Sequence, residues 1–203
     1  MSASAPASSN TTPSKLARFA SPVVLLAVMW AIQLIDAALP GSFTGFGLRS
    51  WDLSSITGLV LGPLLHSGWL HLLSNSLPFL VLGCLVAVEG ARRFWLVTVI
   101  VALIGGVGTW IINAPGTLTV GASVLVFGYF VYIVVRVFSP RPIAHRVAYA
   151  LIAAIIIVLY GGSMLAGIVG VSAGVSWQAH LFGGIGGGVS ALTGARRRGA
   201  SSA

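Results

Sequence analysis

The sequence predicts an all-α polytopic membrane protein: a bundle of six spanning helices with a long interfacial loop between the first span and the second. Three observations carry this. Apolar residues make up 57% of the 203 and charged ones only 7%, for a mean hydropathy of +1.00, whereas a soluble domain carries roughly 25% charged residues. Apolar runs recur that are long enough for the ~20 residues a helix needs to cross a bilayer. No strand-like alternation runs through them, which argues against a transmembrane barrel.

The opening residues, MSASAPASSNTTPS, are small and polar, and residues 1–19 are expected to form a disordered tail. Lys15 and Arg18 precede the first span, at about 22–38. A basic stretch before an apolar run also describes a secretory signal, but this run is long for a signal core and five more follow it. The other spans fall at about 69–88, 94–112, 121–138, 147–169 and 176–193. Their separators are Gly90, Arg92 and Arg93; Asn113, Pro115 and Gly116; the basic hinge SPRPIAHR; and the stretch from Gly170 to Gly174. The membrane domain is thus expected over 20–195, with a short basic tail at 196–203.

With the N-terminus on the cytoplasmic side, ten of the eleven basic residues face the cytoplasm and only Arg49 lies outside. This asymmetry predicts an even number of spans and both termini cytoplasmic. It also accounts for the net charge of +8 without nucleic acid, since no basic surface interleaved with aromatics is visible. The lone Cys84 sits in an apolar run, so no disulfide or cysteine metal cluster is available. The Ala- and Gly-rich composition and the absence of an organelle-type presequence lead us to expect a bacterial inner membrane.

Residues 39–68, LPGSFTGFGLRSWDLSSITGLVLGPLLHSG, are too apolar for disorder and too long for a plain connection. Short interfacial helices are expected there, with Trp51 and Trp69 at headgroup depth.

Spans 2, 4 and 6 all run from outside to inside, and each carries polar residues near its outer end: His71 and Asn75, Ser123, and His180. Intramembrane ionisable groups are costly and suggest function. His71 and Asn75 lie four apart, on one helical face. His66 precedes that span and is expected to stabilise the loop or the rim of a cavity. His180 shares a stripe with Gly184 and Gly188. The glycines of AHLFGGIGGG, with Gly183, Gly184 and Gly187 among them, let a neighbouring backbone approach closely, and Gly121 opens span 4. If that neighbour is span 4, His180 meets Ser123. Ser123 then attacks a carbonyl as His180 takes its proton, and Asn75, His71 and the Ser123 N–H stabilise the oxyanion. The only acids are Asp36, Asp52 and Glu89, none of them in spans 4 or 6. A Ser–His dyad is expected rather than a triad.

These residues resemble the rhomboid family of intramembrane serine proteases. HSGWLHLLSN carries the family's His, His, Asn spacing at His66, His71 and Asn75; GAS with the following FG resembles the nucleophile motif at Ser123; AHLFG resembles the motif of the catalytic His, here His180; VEG at the end of span 2 resembles a further family feature. The resemblance covers about 20–195 and extends to order and topology. It implies six core helices, a water-filled cavity open to the outside, no metal or cofactor, and cleavage of single-pass transmembrane protein substrates after local unwinding. The chain departs from the family at Val124, where Gly is usual and where the side chain crowds the oxyanion site or points to lipid or a neighbour; at Phe127, often Tyr; and in RSWD, where the loop's Trp-Arg pair is not reproduced.

Other readings remain. Ser123 alone reads as backbone-bonded filler, and His71 and Asn75 as glue between helices. A non-cleaving binder of membrane helices would explain Val124. A transporter or metal permease using His66, His71 and His180 lacks an intramembrane acid and a visible inverted repeat. GGIGGG follows no strand and precedes no acid, so it is packing rather than a dinucleotide site. The terminal ARRR is expected to contact anionic lipid, and His145 to be solvated.

Overall fold

The computed structural model describes residues 16–138, 142–169 and 176–199. The tail at 1–14, residues 139–141 of the basic hinge and the stretch 170–174 lie outside the described residues, as do the side chains of His145 and Arg196 to Arg198.

Six long helices follow one another: α1 (Ala20–Ala38), α3 (Trp69–Ala87), α4 (Ala91–Ile112), α5 (Ser123–Val137), α6 (Ile143–Val169) and α7 (Trp177–Gly199), with a single-turn α2 (Gly58–Leu61) between the first two. Among the described residues, three helices are long and apolar enough to cross a membrane, Ala17–Ala38, Trp69–Ala87 and Ala91–Ile112; Ser123–Val137 and Arg146–Val158 are shorter apolar helices.

Four boundaries differ most from expectation. α6 starts at Ile143, four residues early, so the end of the basic hinge is helical. Ala17–Phe19 is a 3-10 turn leading into α1 rather than part of a disordered tail, and Arg18 is tied by a 2.9 Å hydrogen bond to the Val88 carbonyl. α4 starts at Ala91, directly after Gly90, whose φ of +110° turns the chain out of α3. α7 continues to Gly199, so residues 196–199 of the tail read from the sequence are part of the helix.

Residues 39–68 hold 3-10 turns at Phe43–Phe46, Leu53–Ser55 and Gly62–Leu64 besides α2. They also hold a strand, β1 (Leu48–Arg49), paired antiparallel with β2 (Leu118–Thr119). A two-residue ladder is too short to leave a period in the sequence. Trp51 stacks on Trp110, ring centroids 5.7 Å apart, and Trp69 meets Trp30 at 6.1 Å.

The contacts fix the helix directions. His71 lies against Gly121, Gly83 lies near Tyr129, and Phe79 meets the Tyr129 ring at 5.7 Å. The partners advance together, so α3 and α5 are parallel. Gly183 abuts the Val124 carbonyl and Gly187 the Gly128 carbonyl, so α5 and α7 are parallel too. α4 runs against them, with Gly105 beside Gly183 and Val101 beside Gly186. α1 opposes α3: Pro22 meets Gly83, and Trp30 donates to Ser76 Oγ at 3.0 Å. Phe79, Phe94, Val97, Val101, Tyr129 and Ile133 fill the centre of this bundle.

The end of the bundle remote from Ser123 is held by polar contacts. Glu89 and Arg136 form a two-pronged pair at 3.0 and 2.9 Å, with side chains 7% and 4% exposed. Tyr149 donates to Glu89 at 3.3 Å, bringing in α6. Arg93 donates to Tyr132 Oη at 2.9 Å and to the Ser190 carbonyl, and Arg146 to the Val137 carbonyl at 2.9 Å.

Candidate active site

α5 begins at Ser123, immediately after a turn that only glycine suits. Gly121 has φ +115°, and a Cβ there would lie 2.7 Å from both Cε1 and Nε2 of His71. The Gly121 N–H donates to the Gly62 carbonyl at 2.9 Å. The Ala122 N–H donates to His66 Nε2 at 3.3 Å. Leu125 and Val126 N–H both reach the Ala122 carbonyl. The Ser123 and Val124 amides are thus the first-turn N–H groups that the helix itself cannot satisfy. Ser123 is partly buried.

His66, 3% exposed, is therefore an anchor of the Ser123 turn. Accepting a hydrogen bond at Nε2 requires the neutral ring. Burial, and then the nearby His71, push its imidazole down to about 4. The two rings meet edge-on with centroids 5.1 Å apart.

His71 is positioned by a residue that the sequence did not single out. Ser67 N–H donates to His71 Nδ1 at 3.4 Å, and Ser67 Oγ lies 3.0 Å from the same nitrogen. With Nδ1 accepting, the proton sits on Nε2, the nitrogen beside Gly121. Ser67 precedes His71 by four residues, but Gly68 (φ +142°) breaks the chain between them. The spacing is therefore not helical, and periodicity could not have flagged it. Asn75 is 8% exposed and donates from Nδ2 to the His71 carbonyl at 2.9 Å, which leaves one amide N–H.

His180 is 6% exposed and lies flat on Phe127, with centroids 4.0 Å apart and 8° between planes. Phe127 is one helical turn beyond Ser123, so the imidazole packs along the start of α5. Three residues further, Gly183 receives the Val124 carbonyl, 2.3 Å from where a Cβ would stand; at Gly187 the Gly128 carbonyl is 1.9 Å from that point. The stripe of closest approach is thus Gly183 and Gly187. A Cβ at Gly184 or Gly188 of the His180 stripe would meet only the Val131 side chain, at 3.1 and 3.8 Å.

Val124 is 7% exposed, and its Cγ2 packs against Gly105 and Gly183, between α4 and α7. With Gly105, Thr109, Thr119, Gly121 and Ala179 it lines a cavity of about 20 Å³, room for about one water.

The three acids are engaged elsewhere. Asp36 accepts from the Phe43 N–H, Asp52 from the N–H and hydroxyl of Ser54 at 2.9 and 2.7 Å, and Glu89 pairs with Arg136.

Comparison with known proteins matches residues 53–197 to the family model of the Rhomboid domain. An uncharacterized protein of Mycobacterium tuberculosis is 34% identical over 176 residues, covering 83% of this chain and 72% of that one. An uncharacterized protein of Mycobacterium leprae is 35% identical over 176 residues, covering 83% and 68%. A Bacillus subtilis protein named provisionally as a rhomboid protease is 34% identical over 131 residues, covering 64% and 62%.

Proposed function

This chain belongs to the rhomboid family of multi-pass membrane proteins, and on that premise we propose that it is an intramembrane serine endopeptidase cleaving single-pass transmembrane substrates near the outer leaflet. Ser123 is the nucleophile and His180 its general base. The observation that carries the reading is the flat stack of His180 on Phe127 at 4.0 Å, one turn from Ser123, with His71 against Gly121 on the other side.

The Ser123 hydroxyl adds to the scissile carbonyl carbon while its proton passes to the His180 imidazole. The oxygen that becomes negative is stabilised by the Ser123 N–H, the proton on His71 Nε2 and the remaining N–H of Asn75. Collapse breaks the C–N bond, and His180 returns the proton to the departing amine. Water then adds to the acyl-enzyme with His180 again as base, releasing the carboxylic acid and restoring Ser123. The engagement of all three acids elsewhere favours a dyad.

The test is reconstitution with a single-pass substrate, together with labelling by a fluorophosphonate. Wild type is expected to cleave and to be labelled; Ser123→Ala and His180→Ala are expected to fall to background in both. Undiminished cleavage by Ser123→Ala overturns the mechanism. Absence of cleavage and labelling in wild type favours a binder of membrane helices.

A further inference from the structure

Asn113 ends α4 and is 5% exposed. Its backbone is fixed on both sides: the N–H donates to the Thr109 carbonyl at 3.0 Å, and the C=O accepts from Trp51 Nε1 at 3.0 Å. Its side-chain Nδ2 donates to two hydroxyls, Thr119 Oγ1 at 3.2 Å and Ser176 Oγ at 3.5 Å. Those hydroxyls hold equivalent places, Thr119 four residues before Ser123 and Ser176 four residues before His180.

Each hydroxyl is rigidly joined to the residue it precedes. Thr119 lies in β2, paired with Leu48, and only the Gly121 turn separates it from α5. Ser176 caps α7: its Oγ accepts the Ala179 N–H at 3.3 Å and donates to Gln178 Oε1 at 3.3 Å, and its carbonyl accepts the His180 N–H at 3.4 Å. With its one hydroxyl proton given to Gln178, Ser176 Oγ can only accept from Asn113, as an amide nitrogen requires.

We infer that Asn113 is a positioning residue that sets the spacing between the segment carrying Ser123 and the segment carrying His180, its two amide protons bridging their leading hydroxyls. This rests on the proteolytic reading. The glycine contacts between α5 and α7 fix how close the helices come; the Asn113 bridge fixes how the ends that lead into them are aligned. A polar side chain buried at the end of α4 is costly unless satisfied, and its satisfaction here is spent on those two ends.

The experiment separates the inference from the reading it rests on. Fluorophosphonate labelling of wild type that Ser123→Ala abolishes secures the reading; its absence fails the reading, whatever Asn113 does. Against that baseline, Asn113→Leu, nearly isosteric and unable to donate, is expected to lower both kcat and the labelling rate constant about tenfold with KM nearly unchanged, since small misalignments of reacting groups are costly. Thr119→Val and Ser176→Ala are each expected to give a smaller loss, and Asn113→Leu with Thr119→Val no more loss than Asn113→Leu alone. Active-site titration keeps a general loss of folded protein apart. A reduced titratable fraction that labels at the wild-type rate constant overturns the inference. If Asn113→Leu does not fold, wild-type rate constants in both Thr119→Val and Ser176→Ala overturn it equally.

Discussion

Substituting Gly183 by alanine tests the packing that supports the proposed chemistry. The new Cβ would stand 2.3 Å from the Val124 carbonyl oxygen and 3.1 Å from its carbonyl carbon. Both are backbone atoms, so no side chain can rotate away. Reaching even 3.0 Å requires α5 and α7 to separate locally by about 0.7 Å, and overpacking of this kind costs about 1–3 kcal/mol. The separation falls between Ser123, next to Val124, and His180, one turn before Gly183. A displacement near 1 Å between reacting groups costs up to about 10²-fold in rate, so Gly183→Ala is expected to lower the labelling rate constant roughly ten- to a hundredfold. Gly188→Ala is the control, because its Cβ would meet only Val131 Cγ1, at 3.8 Å. The assay is fluorophosphonate labelling in detergent beside cleavage of a reconstituted substrate, with thermal unfolding followed on the same samples. Wild-type labelling and cleavage by Gly183→Ala, or an equal loss in Gly188→Ala, would refute the reasoning.

Further outcomes follow from the same geometry. Gly121→Ala meets both a φ of +115° and the His71 ring at 2.7 Å, so cleavage and labelling should be lost even where the protein remains folded; retained labelling speaks against the placement of His71. His66 has a folded value of about 4 against about 6.5 unfolded. Between these the unfolded chain binds a proton that the folded one does not, so stability is unaffected by His66 above pH ~6.5 and falls by about 1.4 kcal/mol per unit as pH drops towards 4. His66→Gln, which can still accept from Ala122, should flatten that slope in detergent melts; parallel profiles would count against it. Glu89→Gln leaves Arg136 buried with a broken pair and should cost about 3–5 kcal/mol, while Glu89→Leu with Arg136→Met should recover most of it. Chemical unfolding measures both, and equal stability of single and double variants would show that the pair is not the cause.

The long helices and the polar residues near their ends were legible because hydropathy and the HSGWLHLLSN, GAS and AHLFG spacings are local patterns. Which faces meet is not a local property. The sequence named Gly183, Gly184 and Gly187 as packing glycines and put His180 on a stripe with Gly184 and Gly188, but not which of them is closest; Gly183 and Gly187 make the tightest backbone contact, one residue round the helix from that stripe. Val124, read as a residue that crowds the oxyanion or faces lipid or a neighbour, packs its Cγ2 against Gly105, a residue on another helix. Ser67 and Asn113 went unnoticed as functional candidates because a broken helix and a loop carry no period, although each hydrogen-bonds groups at or leading into the site. Glu89 sits by Arg92 and Arg93 in the chain but pairs with Arg136, 47 residues away, a partner that only the bundle supplies.

The parallel course of α3, α5 and α7 has an electrostatic consequence. Every helix carries a dipole equivalent to roughly half a positive charge at its N-terminus and half a negative charge at its C-terminus. Three dipoles pointing the same way repel one another, most of all in a low-dielectric surround. They also gather three positive poles around the turn that opens at Ser123, where a developing negative charge would be stabilised before any side chain is counted. The opposite pole meets a counter-charge in Arg18 at the end of α3 and in Arg146 at the end of α5, each donating to a main-chain carbonyl there. Two of the arginines that first read as a topology signal, Arg18 and Arg146, thus also offset part of the cost of aligning these helices.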